Sequence, residues 1–279
     1  MDFGIEPEEF KEEELLNWFK DVQLQQLTKI TEGIFAPWAF YKKDFQEIGG
    51  HDPLYAPQSK EDSDIFNRFQ LNGIKFKQTW GGCVYHMTCR GSRFADGAKR
   101  NPDGQVFMKN RETDEWLTQN QKSTRNFIRK WGHFVKHDNL MKPIIPPKYD
   151  IGIILNSKDI NLLSNLEPWC STIYVDTGLL QDYIQVEQQN TIMNLHDRIK
   201  PFDNEKQNQI LVEIDGQEFD NEDFEYIQQL PEIIAHDEFL GAQIFLARNK
   251  KELGELFELG NLKITITALD DSVNDLIKL

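Results

Sequence analysis

Cysteine is scarce in this chain, and long apolar runs are lacking. Cys83, Cys89 and Cys170 are an odd number of thiols without Cys-X-X-Cys spacing, so neither a disulfide framework nor a thiolate zinc site is predicted. A secretory signal has a basic segment followed by an apolar one. The first twenty residues are acidic and lack this pattern. We therefore expect a cytoplasmic protein with reduced thiols and no transmembrane segment.

An excess of positive charge is lacking as well. The formal net charge is -15, which excludes a broad nucleic-acid surface because phosphate neutralisation needs clustered Lys and Arg. The charge is uneven, however: residues 89–142 contain twelve Lys and Arg against six Asp and Glu, a local balance of +6. This basic middle either attracts a phosphorylated ligand or docks against the acidic flanks, and the sequence leaves both alternatives open.

With 279 residues, 39% hydrophobic and 28% charged, the chain is long enough to bury the core of one large or two ordinary domains. Residues 1–95 begin with an amphipathic helix and contain a second one from about Lys60 to Asn72, with Gly73 as its C-terminal stop. The alternation in IKFKQTW predicts a strand, and CVYHM a second extended run.

Residues 96–147 are polar and basic, with a predicted helix from Ser123 to His137, and end in KPIIPPK, which indicates a boundary or stiff linker. Residues 148–279 start with the apolar strand YDIGIILNS, followed by a helical segment and the strand STIYVD. That order, with later strands at QILVEID, AQIFLAR and LKITITAL, predicts a separate α/β domain. It lacks a Gly-X-Gly-X-X-Gly fingerprint, so no dinucleotide site is predicted there.

The stretch Glu61-Asp62-Ser63-Asp64 has two interpretations. Ser59, followed three residues later by Asp62, approximates a capping box, and acids in a first helical turn complement the helix dipole. Alternatively, one carboxylate lies at the mouth of a cleft, where it accepts a proton from an attacking hydroxyl. Local spacing favours the capping interpretation.

The surrounding residues add a family resemblance. Residues 31–95 contain, in order, Ala36-Pro37-Trp38, the turn Gly49-Gly50-His51-Asp52, the pair Glu61-Asp62 followed by Arg68, and Val84-Tyr85-His86. This ordered set resembles the C-terminal half of the catalytic domain of glycosyltransferase family 2, the inverting, nucleotide-sugar-dependent enzymes of GT-A fold. The resemblance implies a partial GT-A (Rossmann-like) catalytic half at 1–95. Together with the patterns of the later segments, we expect an α/β chain in which this half is followed by a basic helical segment and linker at 96–147 and a smaller α/β accessory domain at 148–279.

The resemblance also implies roles for individual residues. Asp62 matches the general base that deprotonates the acceptor hydroxyl, and Glu61 would assist it. His86 matches a position that can complete coordination of a divalent metal, Mn²⁺ or Mg²⁺. The implied partners are a nucleotide-sugar donor and a glycan or other hydroxyl acceptor. The implied substrate contacts are Trp38, Gly49, Gly50, His51, Asp52 and Arg68.

One departure from the family is serious. The metal of these enzymes is held by an Asp-X-Asp motif in the preceding nucleotide-binding half, and the roughly thirty residues before the resemblance contain neither that motif nor the nucleotide-binding units. We therefore expect one of three cases. The chain is a portion of a larger transferase, or it is one half of a split enzyme that is completed in trans or by a homo-oligomer. Alternatively, it is a non-catalytic glycan-binding or assembly module. His133 and His137 share a face of the predicted helix, but Phe134 stands where a zincin has its Glu.

Overall fold

The computed structural model describes residues 3–4, 9–85, 114–236 and 255–278. Within these ranges the chain is mixed α/β, with a six-stranded mixed sheet and surrounding helices. No described helix combines the length and apolar character needed to cross a bilayer. The predicted strand AQIFLAR and the residues from His86 to Thr113 lie outside the described ranges.

The main sheet is built from the C-terminal part of the chain. Its strands, in chain order, are β3 (Ile151–Asn156), β4 (Thr172–Val175), β5 (Ile199–Pro201), β6 (Ile210–Asp215), β7 (Glu255–Leu259) and β8 (Leu262–Ile266). Their spatial order is β5-β4-β3-β6-β8-β7. The first four are parallel, and β8 pairs antiparallel with both β6 and β7.

Parallel neighbours need a crossover connection, usually a helix. Helix α5 (Ile160–Leu166) lies between β3 and β4, and α6 (Thr177–Glu187) and α7 (Leu195–Arg198) lie between β4 and β5, whereas α8 (Asn221–His236) follows β6. Asp159 and Asp176 cap α5 and α6 by accepting hydrogen bonds from the backbone amides of Asn161 and Gly178. The continuous apolar run of β3 is explained by its central position, since Ile151, Ile153 and Leu155 all belong to the main core.

The sequence predicted β3, β4, β6 and β8 but missed β5 and β7. Strand β5 is only three residues long and ends in a proline, so it has no readable periodicity. Strand β7 forms a hairpin with β8 through Gly260-Asn261, where Gly260 has a φ of +60°. A two-residue hairpin turn of this kind needs a positive φ, which glycine adopts without strain.

The N-terminal part has little sheet. Its elements are α1 (Glu12–Trp18), which continues as a π-helical turn over Phe19–Gln23, β1 (Ile30–Thr31), α2 (Lys42–Glu47), α3 (Glu61–Leu71) and β2 (Gln78–Thr79). The prediction of α3 is confirmed. The strand predicted over IKFKQTW is wrong except at Gln78–Thr79, because its partner β1 offers only two residues for pairing.

Helix α4 spans Asp114–Trp131 and packs against both parts of the chain. The predicted helix ran to His137, but the chain leaves the helix at Gly132, whose φ is +79°. Phe127 and Trp131 join a buried cluster with Leu54 and Tyr55, while Ile128 belongs to the core of the sheet. The predicted division into 1–95, 96–147 and 148–279 stays a prediction.

We expect Ile153→Ala to lower the free energy of unfolding by about 2–5 kcal/mol, because the side chain is 0% exposed at the centre of the sheet and its removal leaves a cavity. Ile192→Ala is the matched control, since Ile192 is 68% exposed, and it should change stability by less than about 0.5 kcal/mol. Urea denaturation of the two variants checks this. Equal losses would contradict the assignment of Ile153 to the core.

Candidate functional site

The start of helix α3 is built differently from a capping box. The residue before the helix is Lys60, which makes no side-chain capping bond. The hydroxyl of Ser59 donates instead to the side-chain oxygen of Asn120 on α4, at 2.8 Å. The expectation that Ser59 and Asp62 cap the helix is therefore wrong, because the Ser59 hydroxyl bonds to α4 instead.

Asp62 is exposed, and no described residue donates a hydrogen bond to it. It lines a groove of about 300 Å³, whose walls come from residues 34–36, 59–63, 66–67, 135–137, 141 and 143. Partial burial raises the pKa of the Asp62 carboxyl above its usual value, against an opposing influence of His51. A carboxylate with a raised pKa holds a proton more strongly, as a general base should.

Glu61 lies beside Asp62 and lines the same groove. Its Oε2 atom is buried and has no hydrogen-bond partner among the described residues. A buried carboxylate oxygen without a donor is energetically unfavourable. The atom therefore adds an unused acceptor to the groove, next to the free carboxylate of Asp62.

Backbone strain is concentrated at this groove. In the described ranges, the non-glycine residues with positive φ are Ser59 (82°), Lys60 (73°) and Met141 (68°). All three line the groove of Asp62. Each such residue costs on the order of 1–3 kcal/mol and persists only where the surrounding structure imposes it, which is most often at functional sites.

Asp64 has an entirely different environment from Asp62. It is 0% exposed, and its carboxylate lies 2.7 Å from Arg68 Nη2 and 2.5 Å from Lys130 Nζ. The indole of Trp131 also donates to it, at 2.9 Å. Although Asp62-Ser63-Asp64 has Asp-X-Asp spacing, these partners occupy Asp64, so the two carboxylates do not form a metal-binding pair.

Arg68 is buried together with Asp64. Its guanidinium donates to the carbonyl oxygens of Ile48, at 2.5 Å, and Gly50, at 2.7 Å. Gly49 and Gly50 both have positive φ, which lets the turn present these carbonyls to Arg68. Arg68 is therefore held beneath the turn and does not line the groove of Asp62, and its predicted substrate contact stays a prediction.

Asp52 and His51, at the end of the same turn, have different environments. Asp52 accepts a hydrogen bond from the amide of Leu54 and pairs with Lys130 at 3.0 Å, so it is buried. His51 is exposed and packs edge-on against Phe45, with ring centroids 5.3 Å apart. Of the two, only His51 is accessible to a ligand near Asp62.

Trp38 lines a second groove, of about 980 Å³. It stacks on Phe40 at 4.8 Å and meets the edge of Phe66 at 5.2 Å. Residues 34–36 line both grooves, so the two depressions lie on either side of one segment. The structure thus places Trp38 and Asp62 in adjacent grooves and not in one.

The predicted metal ligand His86 lies outside the described residues. Among the residues that are described, no group of three or more His, Cys, Asp or Glu side chains is arranged to hold a metal ion. The two histidines of the predicted helix do not share a helix face, because α4 ends before both of them. His133 is buried, while His137 lines the groove of Asp62, a position that the wrong helix boundary concealed.

We expect Asp64→Asn to lower the free energy of unfolding by about 3–5 kcal/mol, because it leaves Arg68 and Lys130 buried with reduced compensation. Asp62→Asn, two residues away and unpaired, should change it by less than about 0.5 kcal/mol. Chemical denaturation at pH 7 measures both. The two-environment description fails if the variants are destabilised equally.

Burial lowers the pKa of His133 to about 4, so its folded form stays neutral while the unfolded form takes up a proton below about pH 6.5. Stability should therefore fall as pH drops from about 6.5 towards 4. His133→Gln should remove on the order of 1–3 kcal/mol of this fall, and the exposed His196→Gln should not. Denaturant midpoints measured between pH 7 and 4.5 test the expectation, and an unchanged pH slope in His133→Gln would contradict it.

Comparisons of the chain with protein-family models, with curated proteins and with solved structures found no match.

Proposed function

We propose that this chain is the acceptor-side half of an inverting glycosyltransferase of GT-A type, with Asp62 as its general base. The observation that carries the proposal is the state of Asp62. Its carboxylate is exposed, is paired with none of the described residues, and lies in a groove of about 300 Å³. The other two acids of the Glu61–Asp64 stretch differ from it: Glu61 has one buried carboxylate oxygen, and Asp64 is paired with buried Arg68 and Lys130.

In the proposed reaction, an acceptor hydroxyl lies in the groove beside Asp62. The carboxylate takes the hydroxyl proton as the oxygen attacks the anomeric carbon of the donor sugar in line, and the bond to the nucleoside diphosphate breaks. The raised pKa of Asp62 favours this proton transfer. Glu61 and His51 flank the base, where they would orient the acceptor.

The groove of Trp38 is the proposed docking surface for a nucleotide-binding half. Exposed apolar side chains surround it, including Phe35 at 48%, Phe40 at 43% and Tyr41 at 74% exposure. Apolar patches of this kind mark protein interfaces. Because the described residues offer no metal-ligand set, the nucleotide and the divalent metal are assigned to that half, which the resemblance places in a preceding or separately encoded segment.

A second candidate function is a non-catalytic glycan-binding or assembly module. The large aromatic groove favours it, since an aromatic face serves for binding a partner or a sugar ring without any chemistry. In that case the carboxylate of Asp62 would contact a hydroxyl but would accept no proton. The two candidates differ in whether the completed protein binds a nucleotide-sugar donor.

The test is calorimetric titration of nucleotide-sugar and Mn²⁺ into this chain, alone and with a candidate nucleotide-binding half encoded upstream or in a neighbouring gene. We expect donor binding only in the completed form. Asp62→Asn in that form should lower kcat by about 10²–10⁴-fold without weakening donor binding, as removal of a general base does. Asp182→Asn, at an exposed position of α6, is the control.

The absence of donor binding in both forms would remove the enzyme proposal and favour the binding module. Donor binding with full turnover in Asp62→Asn would retain a transferase but remove Asp62 as its base.

A further inference from the structure

A third depression, separate from the two grooves, lies at the edge of the main sheet where the parallel strands begin. Its volume is about 100 Å³, which corresponds to roughly three water molecules at their liquid volume. Ile151 at the start of β3, Ser171 just before β4 and Arg198 just before β5 line it. Ile128, Arg129 and Gly132, at the end of α4, form another part of its wall.

The wall of this cavity contains cations and no acid. Arg129, Lys148 and Arg198 line it, whereas no Asp or Glu is among the lining residues. Like charges brought together in a partly buried cavity repel one another, and they persist only when something compensates them. Each of the three cations therefore needs a compensating anion.

Glu167 balances part of the charge from behind the wall. It is 0% exposed and accepts hydrogen bonds from Arg129, at 2.7 Å to Nη2, and from Arg198, at 2.7 Å to Nε. Arg198 also donates to the carbonyls of Glu167 and Cys170. These bonds hold both guanidinium groups rigidly, yet Nη1 of Arg198 makes no hydrogen bond to a described residue.

Lys148 is the cation that Glu167 does not reach. Its backbone is fixed by the C-terminal segment, since its amide donates to Asp271 and its carbonyl accepts from Ser272. Its ammonium group donates to the carbonyl of Lys130 and has no carboxylate within ion-pair distance in the described ranges. Burial, with Arg198 and Lys130 nearby, lowers the pKa of Lys148 to about 8 despite the opposing charge of Asp150.

We propose that this cavity binds a small tetrahedral oxyanion, either free phosphate or sulfate or the phosphate group of a monoester. Lys148 supplies a point charge and Arg198 supplies the unused end of a planar fork, a combination suited to phosphate oxygens. Ser171 adds a hydroxyl to the same wall. The bound anion balances the charge of Lys148, for which no carboxylate of the described segments is a partner.

The inference is independent of the proposed glycosyltransfer, because the cavity shares no residue with either groove of the N-terminal part. Within residues 89–142, Arg129 and Lys130 both dock against acids of the flanking parts, which is one of the two alternatives that the sequence left open. The proposed site depends instead on Lys148 and Arg198, outside that range.

The test is calorimetric titration of the whole chain with inorganic phosphate and, separately, with glycerol 3-phosphate, with sodium chloride at matched ionic strength as the blank. We expect saturable phosphate binding and a rise of Tm with phosphate concentration, since a ligand that binds only the folded state stabilises it. Lys148→Met should weaken phosphate binding at least about tenfold, the effect of losing one charge-assisted hydrogen bond.

The variant is expected to fold, because Lys148 has no carboxylate to leave unpaired and methionine fills the same volume; its Tm without phosphate should equal or exceed that of the original chain. Lys148→Gln is the second variant, since it can still donate to the carbonyl of Lys130 without carrying charge. Lys158→Met, an exposed lysine after β3, is the matched control and should bind phosphate as the original chain does.

Binding of free phosphate but not of glycerol 3-phosphate would identify a site for the small ion, and binding of both would identify a site for a phosphomonoester group; either supports the proposal. Equal effects of phosphate and chloride, or phosphate affinity in both Lys148 variants within about threefold of the original, would overturn it.

Discussion

Two adjacent side chains of helix α4 connect the parts of this protein by buried ion pairs. Lys130 is held by Asp52 and Asp64, and Arg129 is held by Glu167 and Glu187. Neighbouring residues on a helix point about 100° apart, so one helix faces two different sets of acids. Because a buried charge without a partner is strongly unfavourable, the positions of these four carboxylates are fixed relative to one helix.

The geometry of the candidate site follows from this constraint. Asp64 must point inward to meet Lys130 and Arg68. Residues two apart on a helix lie on nearly opposite sides, so Asp62 is turned outward to the groove. On the same side, Ser59 bonds to Asn120 of α4. The start of α3 therefore has no side-chain cap, and Ser59 and Lys60 before it have positive φ. The buried carboxylate of Asp64 thus determines where the side chain of Asp62 points.

The excess of cations around α4 has a related origin. Arg125, Arg129 and Arg198 share Glu167 and Glu187, so each carboxylate serves more than one guanidinium group. Lys148 joins this cluster without adding a carboxylate. The interior next to the sheet therefore carries positive charge although the whole chain has a net charge of -15, and this local surplus is the physical basis of the proposed oxyanion site.

Local pattern alone determined much of the fold. The apolar runs of β3, β4 and β6, the capped helices between them and the stop of α3 at Gly73 are short-range features, because side-chain periodicity and backbone preference act over a few residues. The sequence also singled out Glu61–Asp64 as the stretch to test. It could not distinguish Asp62 from Asp64, since both are acids in the same first turn and their difference arises from contacts with α4, more than sixty residues away.

The tertiary structure alone decided the remaining questions. The three-residue strand β5 and the edge strand β7 depend on the neighbours with which they pair. The failure of IKFKQTW to form a full strand reflects the two-residue length of its partner β1. The same is true of Arg68, which resembles a ligand contact in sequence but is buried beneath the turn at Gly50. Lys148 carries no sequence signal, because its unpaired charge results from chain segments distant in sequence that meet at one edge of the sheet. Periodicity is a property of consecutive residues, whereas the pairing of a buried charge depends on what the fold brings next to it.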